Sequence, residues 1–167
     1  MLFFDEPDAE WFFGREALTE RLVDRVSALA AGPSPRLLAV VGASGSGKSS
    51  LVRAGLAVAL KRAGWDTRVF TPTADPLKNP SPFTAQAPNT GRTTRIAWLV
   101  DQLEEVFTLC RSEAARASFV DRLLAAANEP GGPTPVVLAL RADFYVHCAA
   151  FPRLRQGIAG QQEFIGR

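Results

Sequence analysis

One short segment constrains the fold of this chain more than any other feature. Residues 42–49, GASGSGKS, match the pattern G-x-x-x-x-G-K-[ST] at every fixed position. A continuous apolar run at residues 37–41 comes directly before the segment, and apolar residues at helical spacing follow it between residues 51 and 60. This order predicts a strand buried on both faces, then a glycine-rich turn, then the start of a helix.

The residue types in this segment suit the binding of a phosphate group. Glycines let successive backbone N–H groups point at one anion, and the helix that follows adds its N-terminal N–H groups and the positive end of its dipole. Lys48 is expected to reach the β- and γ-phosphates, and Ser49 to offer its hydroxyl to Mg²⁺. A glycine-rich turn could match by chance, but it would need neither the strand before it nor the helix after it. The predicted phosphate-binding residues are Gly42, Ala43, Ser44, Gly45, Ser46, Gly47, Lys48, Ser49 and Ser50.

Apolar runs and helical patterns alternate along the rest of the chain. The further predicted elements are strands at residues 67–71, 96–100 and 136–140, helices at about 15–31 and 102–110, and a helix capped by Ser112. Strands that alternate with helices predict an α/β fold, a P-loop NTPase three-layer α/β/α sandwich with a mostly parallel sheet. Residues 72–94, which are rich in Pro, Thr and Asn, are predicted to form a long loop.

Acidic residues follow the strand at residues 96–100. Asp101 ends it, at the carboxyl edge of the sheet where ligands bind, and is expected to hold Mg²⁺ directly or through water. The alternative is an aspartate that caps the next helix. One of Glu104 and Glu105 is expected to polarise the attacking water, although both could equally be solvated acids at a helix start. The sequence puts Glu105 slightly ahead of Glu104 without ranking them firmly.

Composition limits the other classes of function. Of 167 residues, 47% are hydrophobic and 22% are charged, which is typical of one globular domain. The net charge of +2 is spread along the chain and does not indicate nucleic-acid binding. No apolar run approaches the roughly 18 residues of a membrane span, the two cysteines have no metal-ligand spacing, and the N-terminus is acidic rather than a signal peptide. We therefore expect a cytoplasmic protein with no membrane partner and two buried thiols, and a structural rather than catalytic role for His147.

Four segments of the chain stand in an order that is typical of a known group of proteins: residues 11–16 (WFFGRE), 38–55 (LAVVGASGSGKSSLVRAG), 99–108 (LVDQLEEVFT) and 138–145 (LALRADFY). Together they resemble the NTPase domain of the STAND class, signal-transduction ATPases related to AAA+ proteins. The resemblance is strongest to the bacterial novel STAND group, which often precedes WD-type propeller repeats. It covers most of the chain except residues 72–94.

The resemblance implies ATP and Mg²⁺ as ligands and gives roles to two arginines. Arg15 lies in a segment similar to the family's N-terminal motif beside the base and phosphates, although it could also be a solvent-exposed arginine at a helix start. Arg141, which ends the fourth strand, resembles the polar sensor position that reads the γ-phosphate, and a guanidinium there can fork onto phosphate oxygens. The alternative for Arg141 is an ion pair with Asp101 or Asp143, and Asp143 itself could only cap the next helix.

The chain departs from the family pattern in two places. Family members usually have a longer, partly helical segment where residues 72–94 stand, and they continue past the position of Arg167 into a helical lid and effector or repeat domains. We therefore expect residues 1–167 to be a P-loop NTPase domain that is shortened at 72–94 and lacks the lid and C-terminal effector regions. Without a lid, nucleotide exchange is expected to be fast and turnover poor.

The sequence thus predicts ATP binding with slow, Mg²⁺-dependent hydrolysis as a conformational signalling switch. The expected catalytic residues are Lys48, Glu104, Glu105 and Arg141, with Ser49 and Asp101 as metal ligands. Two alternatives stay open, a nucleotide-binding module without useful turnover and a small-molecule phosphotransferase. The second would need an acceptor site and an arginine-rich lid, and neither is evident in the sequence. The expected partners are the nucleoside triphosphate, effector or repeat domains beyond the C-terminus, and a second copy of the chain through self-association.

Overall fold

The computed structural model describes residues 6–33, 35–78, 95–128 and 134–166. They form helices and five strands arranged around a single sheet. The elements in chain order are α1 (Glu6–Ala31), β1 (Leu37–Gly42), α2 (Lys48–Ser50, continued by Leu51–Leu56 and Ala57–Arg62), β2 (Trp65–Phe70), β3 (Arg95–Val100), α3 (Glu105–Thr108), α4 (Glu113–Ala127), β4 (Val136–Arg141), the 3₁₀ helix Ala142–Ala150, α5 (Pro152–Ile158) and β5 (Gln162–Ile165).

The five described strands form one sheet in the order β2-β3-β4-β1-β5, and every neighbouring pair is parallel. The strand β4 lies between β1 and β3, so the carboxyl ends of these three strands are adjacent at one edge. In the register of β1 and β4, Gly42 pairs with Arg141. The predicted α/β fold with a mostly parallel sheet is confirmed, and the glycine-rich segment, Asp101 and Arg141 meet at the edge where parallel sheets bind ligands.

Apolar side chains cover both faces of the sheet and produce three layers. All six residues of β1 are buried, which explains its unbroken apolar sequence. Alternate residues of β1 enter different clusters: Leu37 packs with Phe119 of α4, whereas Leu38 packs with Leu22 of α1 and with Leu56 of α2. The helices α1 and α2 therefore cover one face, and α4 and α5 cover the other.

The helix that follows the glycine-rich segment is not a regular α-helix throughout. It begins at Lys48, widens into a π-helical stretch over Leu51–Leu56, and returns to α-helical geometry until Arg62. Gly64 then adopts a φ of 91°, which ends the helix in the left-handed conformation that glycine tolerates best. The sequence predicted the helix but not its wide central stretch, because π-helical turns have no periodic signature of their own.

Several predicted boundaries differ from those of the structure. Helix α1 begins at Glu6 rather than near residue 15, and β2 begins at Trp65 rather than 67. The helix predicted from residue 102 to about 110 is reduced to Glu105–Thr108, because Gln102 has a φ of 54° and the chain turns there before any helix begins. The short strand β5 was not predicted, since its four residues are two polar ones followed by two apolar ones and show no strand pattern of their own.

Other predictions about connections have mixed outcomes. Ser112 caps α4 as predicted, with its hydroxyl accepting a hydrogen bond of 3.1 Å from the backbone N–H of Ala115. The described part of the predicted long loop, residues 72–78, contains neither helix nor strand. Residues 79–94 lie outside the described residues, as do residues 130–133, whose sequence PGGP predicts the end of the helix capped by Ser112. Within the described ranges, no helix is long and apolar enough to cross a membrane.

Candidate functional site

The glycine-rich segment forms a tight loop between β1 and α2. Gly45 and Gly47 have φ values of 77° and 81°, a region that residues with a Cβ rarely adopt. At position 42 a glycine is needed for a different reason, because neighbouring atoms leave no room for a side chain. A Cβ there would lie 2.7 Å from the Ser46 hydroxyl oxygen and 3.2 Å from the carbonyl oxygen of Ile165. The glycines at these positions therefore serve the backbone path of the loop, as the motif predicts.

Lys48 is buried at the start of α2 and turns back onto its own loop. Its Nζ donates a hydrogen bond of 3.0 Å to the carbonyl oxygen of Ala43. Burial lowers the pKa of Lys48 below its ordinary value, while the negative charge of Glu104 acts in the opposite direction. Across the described ranges Lys48 has no ion-pair partner. A buried ammonium that is held only by a neutral carbonyl is well placed to prefer an anion.

Asp101 and Ser49 are brought together at the edge of the sheet. The Ser49 hydroxyl donates a hydrogen bond of 3.0 Å to Oδ1 of Asp101. The Asp101 carboxylate is only 1% exposed, and its second oxygen accepts a bond of 2.7 Å from Nε of Arg53. Helix α3 begins after Glu104 without a side-chain cap, so Asp101 does not play the capping role that was the alternative.

The two glutamates predicted as candidate bases lie in different environments. Glu104 lines the cavity beside the loop, and its Oε2 accepts a hydrogen bond of 3.3 Å from the backbone N–H of Arg141. Glu105 does not line this cavity, and its Oε2 accepts a bond of 3.1 Å from the backbone N–H of Thr73. The geometry therefore favours Glu104, whereas the sequence placed Glu105 slightly ahead.

Arg141 lies at the end of β4 and also lines the cavity. Its guanidinium forms an ion pair of 2.8 Å with Asp143 and lies 5.2 Å from the centre of the Phe144 ring. Of the two ion pairs considered from the sequence, it forms the one with Asp143 and not the one with Asp101. Two guanidinium nitrogens bond the two carboxylate oxygens of Asp143, at 3.2 and 2.8 Å, but both side chains are exposed to solvent, which screens the pair, so the guanidinium can exchange it for a more highly charged anion.

Arg15 contacts the glycine-rich loop from α1. One of its terminal nitrogens donates a hydrogen bond to the carbonyl oxygen of Ser46, and burial lowers the pKa of the guanidinium. Helix α1 approaches α2 closely here, since a Cβ on Gly55 would lie 3.1 Å from the Thr19 hydroxyl oxygen. Arg15 is therefore placed on the loop rather than in solvent, and its contact with a nucleotide stays a prediction.

A cavity of about 360 Å³ joins these groups. It is lined by Ser44, Gly45, Gly47, Lys48, Ser49, Ser50, Asp101, Gln102, Glu104 and Arg141. Nine of these ten residues were predicted from the sequence as nucleotide, metal or catalytic residues, and the exception is Gln102. A larger cavity of about 450 Å³ lies between the C-terminal part of α1 and the region around α5, and none of the predicted site residues lines it.

The donor set at the cavity fits Mg²⁺. The Ser49 hydroxyl and the Asp101 carboxylate are hard oxygen ligands that lie within 3.0 Å of each other. In the part of the chain that the structure describes, no group of three or more His, Cys, Asp or Glu could hold a metal by itself. Two protein oxygens suit Mg²⁺, which usually keeps several waters and takes its remaining ligands from phosphate oxygens.

Sequence reasoning missed three contributions to the site. Arg53 binds Asp101, Thr73 binds Glu105, and Gln102 adopts the left-handed conformation that turns the chain between Asp101 and α3. Of these three residues, only Arg53 could have been predicted from the sequence. It stands four residues after Ser49, so the two side chains lie on the same face of the helix.

The residues expected to be structural lie elsewhere. The ring of His147 is 5.1 Å from that of Phe144 and 5.5 Å from that of Phe107. His147 is not among the residues that line the cavity. Cys110 and Cys148 are both buried free thiols.

A parallel sheet with a phosphate-loop motif at its carboxyl edge is the architecture of the P-loop NTPase fold. The profile of the Novel STAND NTPase 1 family matches residues 1–167. The chain belongs to this family, and family and fold together indicate a nucleotide-binding module.

Solved structures with a similar fold are distant in sequence. The Aeropyrum pernix ORC2 protein, solved as ADPNP–ADP complexes, has a TM-score of 0.56 at 14% identity over 91% of this chain and 47% of its own. Rhizobiales Trip13 has a TM-score of 0.56 at 16% identity over 97% of this chain and 66% of its own. Trip13 in the E. coli MS115-1 HORMA:CdnC:Trip13 complex has a TM-score of 0.53 at 12% identity, over 98% of this chain and 68% of its own. No curated protein is significantly similar in sequence. These likenesses establish the fold, and the chain spans about half to two thirds of the structures it resembles.

Proposed function

We propose that this chain binds ATP together with Mg²⁺ and hydrolyses it slowly, as the conformational switch of a signalling protein. The observation that carries the proposal is the contact of 3.0 Å between the Ser49 hydroxyl and the Asp101 carboxylate. This pair lines the same cavity as Lys48 and the glycine-rich loop, so a metal site and a phosphate site adjoin each other. That combination is what a nucleoside triphosphate with its Mg²⁺ requires.

The glycine-rich loop and Lys48 bind the phosphates. The N-terminal N–H groups of α2 and the positive end of its dipole favour an anion at the loop. The Lys48 ammonium exchanges the Ala43 carbonyl for phosphate oxygens, because a charged acceptor forms a stronger bond than a neutral one. Arg15, which holds the loop through Ser46, keeps the loop backbone in place beside the nucleotide.

Ser49 and Asp101 would hold the metal, Ser49 through its hydroxyl and Asp101 directly or through water. A bound Mg²⁺ would supply positive charge that offsets the negative charge of the phosphate oxygens. The low exposure of Asp101 keeps this charge in a site with little water, where electrostatic interactions are stronger. The contribution of the protein is thus electrostatic positioning rather than covalent chemistry.

Glu104 orients the attacking water, and Arg141 contacts the γ-phosphate. The Glu104 carboxylate lines the cavity and is fixed to the end of β4 by its bond to the Arg141 backbone. The Arg141 guanidinium leaves the exposed Asp143 for the phosphate, which carries more charge and offers a fork of oxygens. Because Arg141 leads directly into the 3₁₀ helix Ala142–Ala150, its exchange between Asp143 and phosphate transmits the state of the nucleotide to that surface.

The choice of ATP and the partners rest on relatives. The chain belongs to a family of STAND NTPases, and the structurally similar ORC2 protein is described as ADPNP–ADP complexes. A structurally similar Trip13 is part of a complex with HORMA and CdnC proteins. We extend this to effector or repeat domains, and to a second copy of the chain, as the partners of the switch.

Two assays on the purified chain test this function. Nucleotide affinity is measured by titration with a fluorescent ATP analogue, and hydrolysis by phosphate release in excess Mg²⁺. Lys48→Ala should lower the affinity by about 10–100-fold and abolish phosphate release, whereas Glu104→Gln should keep binding and lose most of the release. Glu105→Gln is the matched control and should release phosphate nearly as fast as the wild type. Tight binding without release in the wild type would instead favour a nucleotide-binding module without turnover.

A further inference from the structure

The structure assigns Arg53 as a positioning residue for the metal side of this site, a role that rests on the proposed function. We infer that Arg53 fixes the Asp101 carboxylate so that the chain binds the Mg²⁺–nucleotide complex tightly rather than the nucleotide alone. Arg53 does not line the cavity that contains the phosphate loop, so its effect passes through Asp101.

Both oxygens of the Asp101 carboxylate are taken by residues of the same helix. Oδ1 accepts from the Ser49 hydroxyl at 3.0 Å, and Oδ2 accepts from Nε of Arg53 at 2.7 Å. With its two oxygens held by different donors, the carboxylate cannot rotate without breaking one bond. Oδ1 is therefore kept toward Ser49, the other predicted ligand of the metal.

Arg53 has a second attachment that holds its own guanidinium in place. One terminal nitrogen donates a hydrogen bond of 2.7 Å to the Thr71 hydroxyl, just beyond the end of β2. The backbone N–H of Asp101 also donates to the end of β2, at the carbonyl oxygen of Phe70, at 2.9 Å. The backbone of Asp101 is thus bonded directly to the end of β2, and its side chain is connected to the same strand end through Arg53. These two connections fix the position of the carboxylate.

The wide stretch of α2 carries Arg53. The π-helical residues Leu51–Leu56 include it, and such turns occur frequently at functional sites. Leu51, Val52 and Leu56 of the same stretch are buried in the core, so the stretch is fixed by packing on its inner side. A positioning role explains why an irregular turn stands in the helix that follows the phosphate loop.

Two opposing effects of Arg53 on a nearby cation have to be weighed. Its positive charge repels the metal, but the guanidinium is 47% exposed, and water screens that repulsion. Its bond to Asp101 orients a carboxylate that is only 1% exposed, and a water that enters the space left by the arginine would not hold that carboxylate in one fixed direction. The orienting effect therefore wins, and loss of an outer partner of a metal ligand typically reduces metal affinity by about 10–100-fold.

The test compares nucleotide affinity in Mg²⁺ with affinity in EDTA, using a fluorescent ATP analogue. In Arg53→Ala the affinity in EDTA should stay within about twofold of the wild type, while the enhancement by Mg²⁺ falls by about 10–100-fold. Arg53→Lys keeps the charge but lacks the fork that joins Asp101 to Thr71, so it should restore only part of the enhancement. Arg62→Ala, an exposed arginine at the end of the same helix, is the matched control and should match the wild type.

A second experiment measures metal binding directly and does not depend on ATP hydrolysis. Electron paramagnetic resonance of Mn²⁺, with a non-hydrolysable ATP analogue present, should show weaker Mn²⁺ binding in Arg53→Ala. Thr71→Val, which removes only the second attachment, should show a smaller loss in the same direction and covers the case in which Arg53→Ala fails to fold.

Two results would overturn the inference, and they are distinguishable from a failure of the proposed function. If Arg53→Ala keeps the full Mg²⁺ enhancement, Arg53 does not position the metal ligand, although the proposed function stands. If it loses as much affinity in EDTA as in Mg²⁺, its role is structural or direct. If the wild type itself shows no Mg²⁺ enhancement, the metal role of Asp101 is wrong and both proposals fail together.

Discussion

Replacing Asp101 by asparagine separates the metal role of this residue from its role in stability. The carboxylate accepts hydrogen bonds from Ser49 and from Arg53 and is buried. Asparagine has nearly the same shape but offers one acceptor and one donor. Its oxygen can accept from Arg53, and its amide can donate to the Ser49 hydroxyl, which rotates to accept. Both bonds can therefore survive in Asp101→Asn, and only the charge is lost.

The expected cost to stability follows from this geometry. A hydrogen bond to a charged group contributes about 1.5–3 kcal/mol and a neutral one about 0.5–1.5 kcal/mol, so losing the charge costs about 1–2 kcal/mol. The usual penalty of about 3–5 kcal/mol for breaking a buried pair does not apply, because the guanidinium of Arg53 is 47% exposed and regains water. In a chain of this size the melting temperature should fall by about 2–8 °C.

The assays are urea unfolding without nucleotide, and nucleotide titration with and without Mg²⁺. Asp101→Asn should remain folded, keep its affinity in EDTA, and lose most of the enhancement by Mg²⁺, because a neutral amide is a poor ligand for a hard cation. Asp121→Asn, an exposed aspartate on α4, is the control for loss of a negative charge. An Asp101→Asn protein that binds the Mg²⁺ complex as well as the wild type would contradict a metal-binding role for Asp101.

Three further predictions concern other parts of the molecule. Burial raises the pKa of Cys148 to about 11 from an ordinary value of 9.0, so its thiol should resist iodoacetamide at neutral pH until urea unfolds the chain. The sign for stability follows: the contribution is present below pH 9 and is lost as the pH rises towards 11, which urea unfolding across that range would reveal. Ser112→Ala removes the cap of α4 and should lower the free energy of unfolding by about 1 kcal/mol, with the exposed Ser27→Ala as a control; an unchanged urea midpoint would contradict the cap. Gln102→Gly relieves a φ of 54° and should raise the free energy of unfolding by up to about 1 kcal/mol in the same assay, whereas a loss would indicate that the glutamine side chain stabilises the turn.

The sequence predicted the parts of the site that depend on short, chemically specific patterns. The glycine-rich loop needs its residue types at fixed positions, so its path could be inferred without coordinates. Asp101 and Arg141 each end a continuous apolar strand, and the carboxyl ends of parallel strands share one edge. Placing them beside the loop required only the parallel sheet, which the alternation of strands and helices had already predicted.

The remaining features depend on tertiary contacts that leave no periodic trace. The choice between Glu104 and Glu105 turns on a left-handed residue at 102, which shortens α3 and directs only one of them into the cavity. The strand β5 is formed by four residues of mixed polarity that become a strand by pairing with β1. The attachment of Arg53 to Thr71 joins positions 18 residues apart in sequence, and no local pattern connects them.

We propose that residues 42–49 form a phosphate-binding loop and that Lys48 in this loop contacts the nucleotide. Calorimetric titration of Mg²⁺–ATP into the wild type and Lys48→Ala tests it most directly. Among the residues that the structure describes, the Lys48 ammonium bonds only the neutral Ala43 carbonyl, so its removal should leave the urea midpoint nearly unchanged. We expect saturable binding to the wild type and an affinity lower by about 10–100-fold in Lys48→Ala, because a bond to a charged group is lost. Equal affinities for the two proteins, or no binding to the folded wild type, would contradict it.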